Sequence, residues 1–281
     1  MRRTTVSGLA FLLLQAVACA PAHSSFTPAH VARRKHVQAE VGLDVSIPTG
    51  TIGHVVDVGE ALAASAEDRE LSESEQEQLF RAGAALALNP PSATPHVGFA
   101  YTLLDRFEIG GRYSIGTLRL GARYQLLEQE PDGIDLTAGL GGARYVYEFP
   151  ISDQIPLIHL EDFTRWQVDF PLLVGKHGSW YRIWAGPRVL FTFYGTELTF
   201  EQPDIPGVTG QKKVAASLDG VATYLGGQVG VAVGYKYAFF GFELTCAKFW
   251  TNANLKLPGR EREVDLDSVI VYPGFALMLE L

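Results

Sequence analysis

The sequence has few of the residues that disulfide-rich, metal-binding and nucleic-acid-binding proteins need. Its two cysteines, Cys19 and Cys246, cannot alone form a disulfide framework or a metal cluster. Its formal net charge of −8 and its lack of a basic stripe argue against nucleic-acid binding. After the N-terminus there is no run of about 18 or more apolar residues, so no membrane-spanning helix is expected. A membrane crossing by strands stays open, because a barrel strand needs only about 9–11 residues.

What the sequence does contain is a repeated alternation of apolar and polar residues from residue 36 to the end of the chain. In one such segment Val97 and Phe99 alternate with Gly98 and Ala100. A strand points successive side chains to opposite faces, so this period of two predicts strands with one apolar and one polar face. The polar set is too rich in glycine and charge for an ordinary water-facing surface. The pattern predicts an all-β protein, a closed antiparallel transmembrane β-barrel of about ten strands with lipid outside and a polar lumen.

One predicted strand changes phase along its length. Leu140 belongs to the outward apolar set, but beyond Gly141 and Gly142 the apolar residues fall on Ala143 and Tyr145. An extra residue in one strand would restore the outward face. The sequence therefore predicts a β-bulge at this glycine pair.

The connections between the strands alternate in length. Short turns are expected near residues 104–106, 129–133, 176–179 and 236–238, and long links at 48–95, 150–165, 199–223 and 251–268, with 114–117 as a short exception. Outer-membrane barrels have short periplasmic turns and longer external loops. An even number of strands then leaves both chain ends on the periplasmic side.

Over residues 36–281 the chain resembles Gram-negative outer-membrane β-barrel proteins as a broad class. Aromatic residues near the strand ends support this resemblance, since amphipathic rings settle at membrane interfaces. The segment 272–279 resembles the terminal signal that the barrel-assembly machinery recognises. The resemblance implies an integral barrel in the outer membrane of a Gram-negative bacterium, surrounded by membrane lipids and inserted by that machinery. No cofactor and no nucleic-acid partner are expected.

The first residues have the features of an export signal. Two arginines precede a short apolar stretch, which predicts a signal peptide at residues 1–18. Cleavage is expected at 18/19 or at 22/23. The sequence before Cys19 resembles the lipobox of bacterial lipoproteins, and this resemblance implies that Cys19 could carry a lipid. Residues 19–35 are then expected to form a flexible leader to a barrel domain at 36–281.

A helical insertion, placed at residues 55–90, interrupts the alternation. The sequence predicts a short helix near 58–66 and a longer one near 73–88, with Ser72 and Glu75 as a capping box. The insertion falls in the first external loop. It could be a cap packed on the barrel mouth, or a lid or binding element whose acidic face suits a cationic partner.

Charged residues recur in the polar set that should face the lumen. They are Glu40, Asp44, Glu108, Arg112, Arg119, Arg123, Asp135, Asp169, Arg182, Arg188 and Glu243, together with Glu280. Buried charges need partners, because desolvating a lone ion costs several kcal/mol. One interpretation is a salt-bridge network that fills a narrow interior. The other is a constriction that selects small polar solutes by charge.

The sequence supports an enzyme less well than it supports a barrel without catalysis. The chain contains no nucleophile-elbow, zinc-protease, P-loop or dinucleotide-binding motif. Candidate residues at the external rim lack the spacing of known barrel enzymes: His54, Asp57, His159, Asp162, Asp204 and Asp219. The expected function is a structural barrel or a narrow passage for small polar solutes, without catalysis. The alternatives are an adhesin or partner-binding surface barrel that uses its long loops to reach a protein or small solute, and a surface hydrolase or lipid-modifying enzyme.

Overall fold

The computed structural model of the protein describes residues 23–49, 51–66, 69, 71–90, 92–146, 158–201 and 213–281. The predicted signal peptide at 1–18, both candidate cleavage sites and Cys19 lie outside these residues. Among the described residues, no helix is both long enough and apolar enough to cross a membrane.

Strands make up most of the fold. They are β1 (Val37–Pro48), β2 (Ser92–Leu104), β3 (Phe107–Ser114), β4 (Thr117–Leu127), β5 (Asp135–Tyr145), β6 (Ile158–His177), β7 (Tyr181–Glu201), β8 (Lys213–Tyr235), β9 (Ala238–Leu257), β10 (Arg260–Asp265) and β11 (Ser268–Glu280). The helices are α1 (Thr51–Ser65), α2 (Glu73–Leu88) and the single turn α3 (Gln129–Asp132). Of the two predicted helices, α2 has the predicted bounds, whereas α1 begins at Thr51, before the predicted start near 58 and before the predicted insertion at 55–90.

Ten of the eleven strands close into an antiparallel ring. Consecutive strands pair around the ring from β1 to β9, β9 pairs with β11, and β11 pairs with β1. The remaining strand, β10, pairs with the outer end of β9 alone. Closure leaves no unpaired edge within the ring, which a bilayer requires of any β-structure. The predicted closed antiparallel barrel of about ten strands is confirmed.

The outer face of the ring is apolar and the inner face is charged. Phe99 and Leu120 point outward with 64% and 62% of their surface exposed, whereas Arg112 and Arg123 point inward with 4% and 8% exposed. Apolar side chains that have no protein partner on the outside need lipid as their solvent. A closed barrel with this surface is an integral outer-membrane protein.

The barrel wall is much higher on one side than on the other. The strands β6 to β9 have 20 to 23 residues, but β3 has 8. On β9 the outward side chains are apolar from Ala238 to Cys246. Lys248 then lies 5.5 Å from the centre of the Trp250 ring, and beyond it the outward side chains Asn252, Asn254 and Lys256 are polar. This change marks where the strand leaves the membrane. Much of the links predicted at 199–223 and 251–268 is therefore strand that continues into the external medium.

The same boundary explains the phase change in β5, and the predicted bulge is wrong. Residues 140–144 pair one for one with residues 122–118 of β4. Beyond the glycine pair Ala143 and Tyr145 face inward and are buried, while the Arg144 guanidinium lies outward, 4.8 Å from the centre of the Trp166 ring. The register does not shift; the apolar face changes from the outside to the inside.

We expect the outward surface to show the depth dependence of a lipid-facing wall. Val229 lies near the middle of the outward apolar side chains of β8, and Tyr235 ends the same face of the same strand at the periplasmic side. Val229→Arg should lower the free energy of unfolding by about 2–4 kcal/mol, and the control Tyr235→Arg by about 0–1 kcal/mol. Urea unfolding in lipid vesicles, followed by heat-modifiable gel migration, measures both. Equal effects would contradict the lipid-facing assignment.

Candidate functional site in the barrel lumen

The lumen holds a part of the chain itself. Residues 23–30, which we call the leader segment, run through it from the periplasmic end, where the Lys35 N–H donates to the Thr102 carbonyl at 2.9 Å. Most of these residues are buried, with Phe26 and Ala29 exposed by only 2% and 1%. The sequence predicts a flexible leader at 19–35, but this part of it is packed inside the barrel. Its polar and small residues fit the lumen because the lumen is polar.

Three lumen arginines hold the backbone of the leader segment. They donate hydrogen bonds to its carbonyl oxygens: Arg112 to Ser24, Arg123 to Pro28 and Arg188 to His23. The Arg112 Nη1 to Ser24 O distance is 2.6 Å. These bonds replace the hydrogen bonds to water that an extended segment would otherwise need.

Each of these arginines also pairs with a carboxylate of the wall. Arg112 Nη2 lies 3.0 Å from Asp44 Oδ2, and Arg123 makes two bonds to Glu108, at 2.7 and 2.9 Å. The Asp169 carboxylate takes two arginines, Arg188 at 3.0 Å and Arg119 at 2.7 and 3.1 Å. A guanidinium has five donors, so one arginine can neutralise a wall carboxylate and bind the leader segment at once.

A carboxylate, that of Glu243, also binds the backbone of the leader segment. Its carboxylate accepts the backbone N–H of Ser25 at 2.7 Å, the N–H of Phe26 at 3.0 Å and the Trp184 indole N–H at 2.9 Å. The side chain is fully buried. Burying a carboxylate is costly unless its oxygens are hydrogen-bonded, and here the leader segment supplies two of the donors.

A notch between two glycines receives the Phe26 ring. A Cβ added at Gly274 would lie 2.9 Å from this ring, and one added at Gly241 would lie 3.4 Å from it. The ring stacks on His96, with centroids 5.5 Å apart, and the Arg112 guanidinium lies 5.6 Å from its centre. The notch fixes the position of the leader segment along the barrel axis.

A second cluster holds the leader segment at the periplasmic rim. His30 Nε2 lies 2.9 Å from Glu280 Oε1, and Arg182 donates to both Glu280 oxygens, at 3.2 and 2.6 Å. The His30 ring stacks on His177 at 4.6 Å, and His177 Nδ1 lies 2.6 Å from Asp135 Oδ2. Arg182 and Asp135, predicted as lumen charges, are thus found at the periplasmic end.

A cavity of about 80 Å³ remains beside the leader segment. Its walls are the leader segment at residues 25–27, a glycine-rich part of β2 to β5, and residues of the neighbouring strands β1, β6 and β11. Glu40 and Arg119 both line it, and Glu40 Oε1 lies 3.5 Å from Arg112 Nε. The cavity is large enough for water, and its charged lining suits water. The twelve charged residues predicted for the lumen therefore lie on the inner face, in the wall network, at the rim or beside this cavity.

The helices α1 and α2, together called the cap, close the external end of the lumen. Leu79, Phe80 and Leu88 of α2 are fully buried in one apolar cluster with wall residues such as Phe200 and Leu255. Fully burying side chains of this size contributes roughly 1.5–3 kcal/mol each. Of the two roles that the sequence left open for the insertion, the structure has the cap packed in the mouth.

The acidic side of α2 faces arginines of the same chain. Arg260 Nη2 lies 2.5 Å from Glu73 Oε2, and Arg262 Nε lies 3.9 Å from Glu77 Oε2. At the start of the helix the Arg69 guanidinium, with the Ser72 hydroxyl, lowers the pKa of Glu75 to about 2. Because this pKa lies below the ordinary value of 4.5, the capping interaction contributes its full stability above about pH 5 and loses it as the pH falls through about 2.

The described candidate enzyme residues at the external rim are spread over three elements, α1, β6 and β8. His54 and Asp57 are exposed on α1, and Asp162 is exposed on β6. The other described candidates each face a single charged residue: His159 lies 4.0 Å from Glu201, and Asp219 lies 3.0 Å from Lys256. Asp204 lies outside the described residues. Among the described residues, no group of three His, Cys, Asp or Glu side chains could hold a metal ion.

Comparison with known proteins gives remote likenesses of fold. No family model matches the chain, and no curated relative matches it. A major outer membrane protein from Thermus thermophilus is 8% identical with a TM-score of 0.36, over 87% of this chain and 99% of that one. An outer membrane channel from Pseudomonas putida F1 is 11% identical with a TM-score of 0.33, over 92% of this chain and 99% of that one. Neisserial surface protein A is 9% identical with a TM-score of 0.30, over 87% of this chain and 95% of that one. The assignment of the fold rests on the strand topology and the outward apolar surface.

We expect Glu243 to contribute far more to stability than an exposed carboxylate does. Glu243→Gln replaces one acceptor oxygen by an amide N–H₂ group, which cannot accept the N–H donors that surround this side chain. It should lower the free energy of unfolding by about 3 kcal/mol, since a hydrogen bond to a charged group is worth about 1.5–3 kcal/mol. The matched control is Glu128→Gln in the exposed Arg106–Glu128 pair at 2.7 Å, with an expected loss of about 0–1 kcal/mol. Urea titration in lipid vesicles measures both, and equally small losses would contradict the role of Glu243.

Proposed function

We propose that the protein is a non-catalytic outer-membrane barrel that provides a narrow passage for small polar solutes, closed by two parts of its own chain. The leader segment closes the periplasmic half of the lumen, and the cap closes the external half. The observation that carries this proposal is that lumen arginines and Glu243 bind the backbone of the leader segment. In a wall built only to fill itself, these arginines and Glu243 would bind groups of the wall alone and no separate segment of the chain.

The periplasmic half of the lumen has the lining of a polar passage. Behind the leader segment the arginine–carboxylate pairs of Asp44, Glu108 and Asp169 stay in place on the wall. About eight strands fill their own interior with side chains, and ten leave a somewhat wider lumen. Withdrawal of the leader segment would add its volume to the 80 Å³ cavity beside it. Such a path suits small polar solutes.

The leader segment is attached in a way that permits release. It lies outside the strand ladder, and its carbonyls and amides are held by side chains. Segments with few backbone pairings open at a lower free energy than the strands of a core do. We infer that this segment can leave the lumen while the ring of strands stays closed.

A second candidate function is the binding of a partner at the cell surface. The observation that favours it is the one-sided external wall formed by β6 to β9, which rises above the membrane beside the cap. A high wall is not needed for a passage of solutes. Membrane lipids around the barrel and the barrel-assembly machinery acting on β11 are proposed partners under either function.

Conductance in planar bilayers tests the proposed passage. The comparison uses the wild-type chain, a variant without residues 23–30, a variant with residues 51–89 replaced by a short Gly-Ser loop, and the variant with both changes. The leader segment and the cap are the two plugs of the lumen. We expect conductance in the double variant, and almost none in the wild type or in the two single variants, because each plug blocks the same path.

Heat-modifiable gel migration first establishes that every variant forms a closed barrel. A folded double variant that conducts no ions would reject the passage. Binding of a surface partner would then be the favoured function. Equal conductance of the wild type and the double variant would show that neither plug closes the lumen.

A further inference from the structure

Tyr272 of β11 contacts both plugs at the middle of the lumen. On one side its ring packs edge-on against the ring of His23 in the leader segment, with centroids 4.3 Å apart and planes at 64°. On the other side its hydroxyl donates to Asn89 Oδ1 at the end of the cap, at 2.7 Å. One wall side chain therefore joins the leader segment to the cap.

Asn89 is the residue that ends the cap. Its backbone N–H donates to the Ala85 carbonyl at 3.0 Å, which closes the last turn of α2, and the chain enters β2 soon after it. Its side chain is fully buried, so its amide oxygen depends on donors within the protein. The Tyr272 hydroxyl is such a donor. Loss of this bond would leave a buried polar group without its partner and would loosen the end of the helix.

His23 fixes the position of the Tyr272 ring. The His23 ring lies between two tyrosines, 4.3 Å from Tyr272 and 4.8 Å from Tyr224. His23 and both tyrosines are at most 2% exposed, so the rings have little room to turn. When the leader segment leaves, one face of the Tyr272 ring loses its neighbour. The ring can then move, and its hydroxyl no longer stays within hydrogen-bond distance of Asn89.

We propose that Tyr272 is a positioning residue that couples the two plugs, so that release of the leader segment loosens the cap and release of the cap loosens the leader segment. This inference rests on the proposed function, in which release of the two plugs opens the lumen. The coupling is reciprocal, as linkage between two binding equilibria must be. It makes opening of the lumen a concerted change, because neither plug keeps its full stability after the other has gone.

Hydrogen–deuterium exchange of the full-length folded barrel in lipid vesicles tests the coupling. Tyr272→Phe keeps the ring beside His23 and removes only the hydroxyl. We expect amides of residues 73–89 to exchange about five- to tenfold faster, as for one lost buried hydrogen bond, and amides of residues 23–30 to exchange faster as well. The matched control is Tyr194→Phe, which removes a buried hydroxyl bonded to Thr251 of the wall at 2.6 Å. That control should leave both plugs unchanged.

The reverse experiment starts from the leader segment. His23→Ala removes the ring beside Tyr272 and leaves the sequence of the cap unchanged. Faster exchange at residues 85–89 in this variant is expected from the coupling. If Tyr272→Phe does not give a heat-modifiable barrel, His23→Ala carries the test alone.

Faster exchange confined to the plug that was mutated would overturn the coupling. Unchanged exchange in the cap of the His23→Ala variant would overturn it too. The measurement is made on the closed barrel and does not depend on conductance. If exchange in the two plugs is coupled but the double variant conducts no ions, the coupling stands and the proposed passage is rejected.

Discussion

The structure depends on how buried charge is neutralised inside a narrow ring of strands. The bilayer requires a closed ring, and the ring encloses arginines and carboxylates that water can reach only in part. Pairing within the wall neutralises Asp44, Glu108 and Asp169 but leaves donors of their arginine partners over. Arg112, Arg123 and Arg188 place remaining donors on carbonyls of the leader segment, and Glu243 takes N–H groups of the same segment. The occupant of the lumen thus completes the electrostatics of the wall.

A single period of two along the strands serves two different environments. Within the membrane the outward set is apolar and the inward set is charged, as at Leu120 and Arg119. Above the membrane the order is reversed, since Leu218 and Leu255 point inward and Lys256 points outward. The reversal needs no bulge, because the solvent changes along the strand while the backbone continues. It gives the external half of the lumen an apolar lining, which only an apolar cap can fill.

The sequence predicts the ring and the helices because both leave periodic patterns. Alternation from Val37 to Leu281 gives the strands, and the capping box at Ser72 with the proline pair after Asn89 gives α2. The leader segment leaves no such pattern. Phe26 is its one large apolar side chain, so no period of a strand or a helix can be read from it. Many of its partners lie far away in the chain, as Arg123 does from Pro28. In the predicted lumen seven carboxylates stand against five arginines, so some carboxylates need other donors, such as the N–H groups that Glu243 accepts.

The two plugs are held by different forces, and this difference shapes how the lumen can open. The leader segment is held by charge-assisted hydrogen bonds, which a low dielectric strengthens and water weakens. The cap is held by apolar burial, which water strengthens. Entry of water into the lumen would therefore favour release of the leader segment and oppose release of the cap. A contact that joins the two, such as Tyr272 between His23 and Asn89, keeps the closed state from being lost one half at a time.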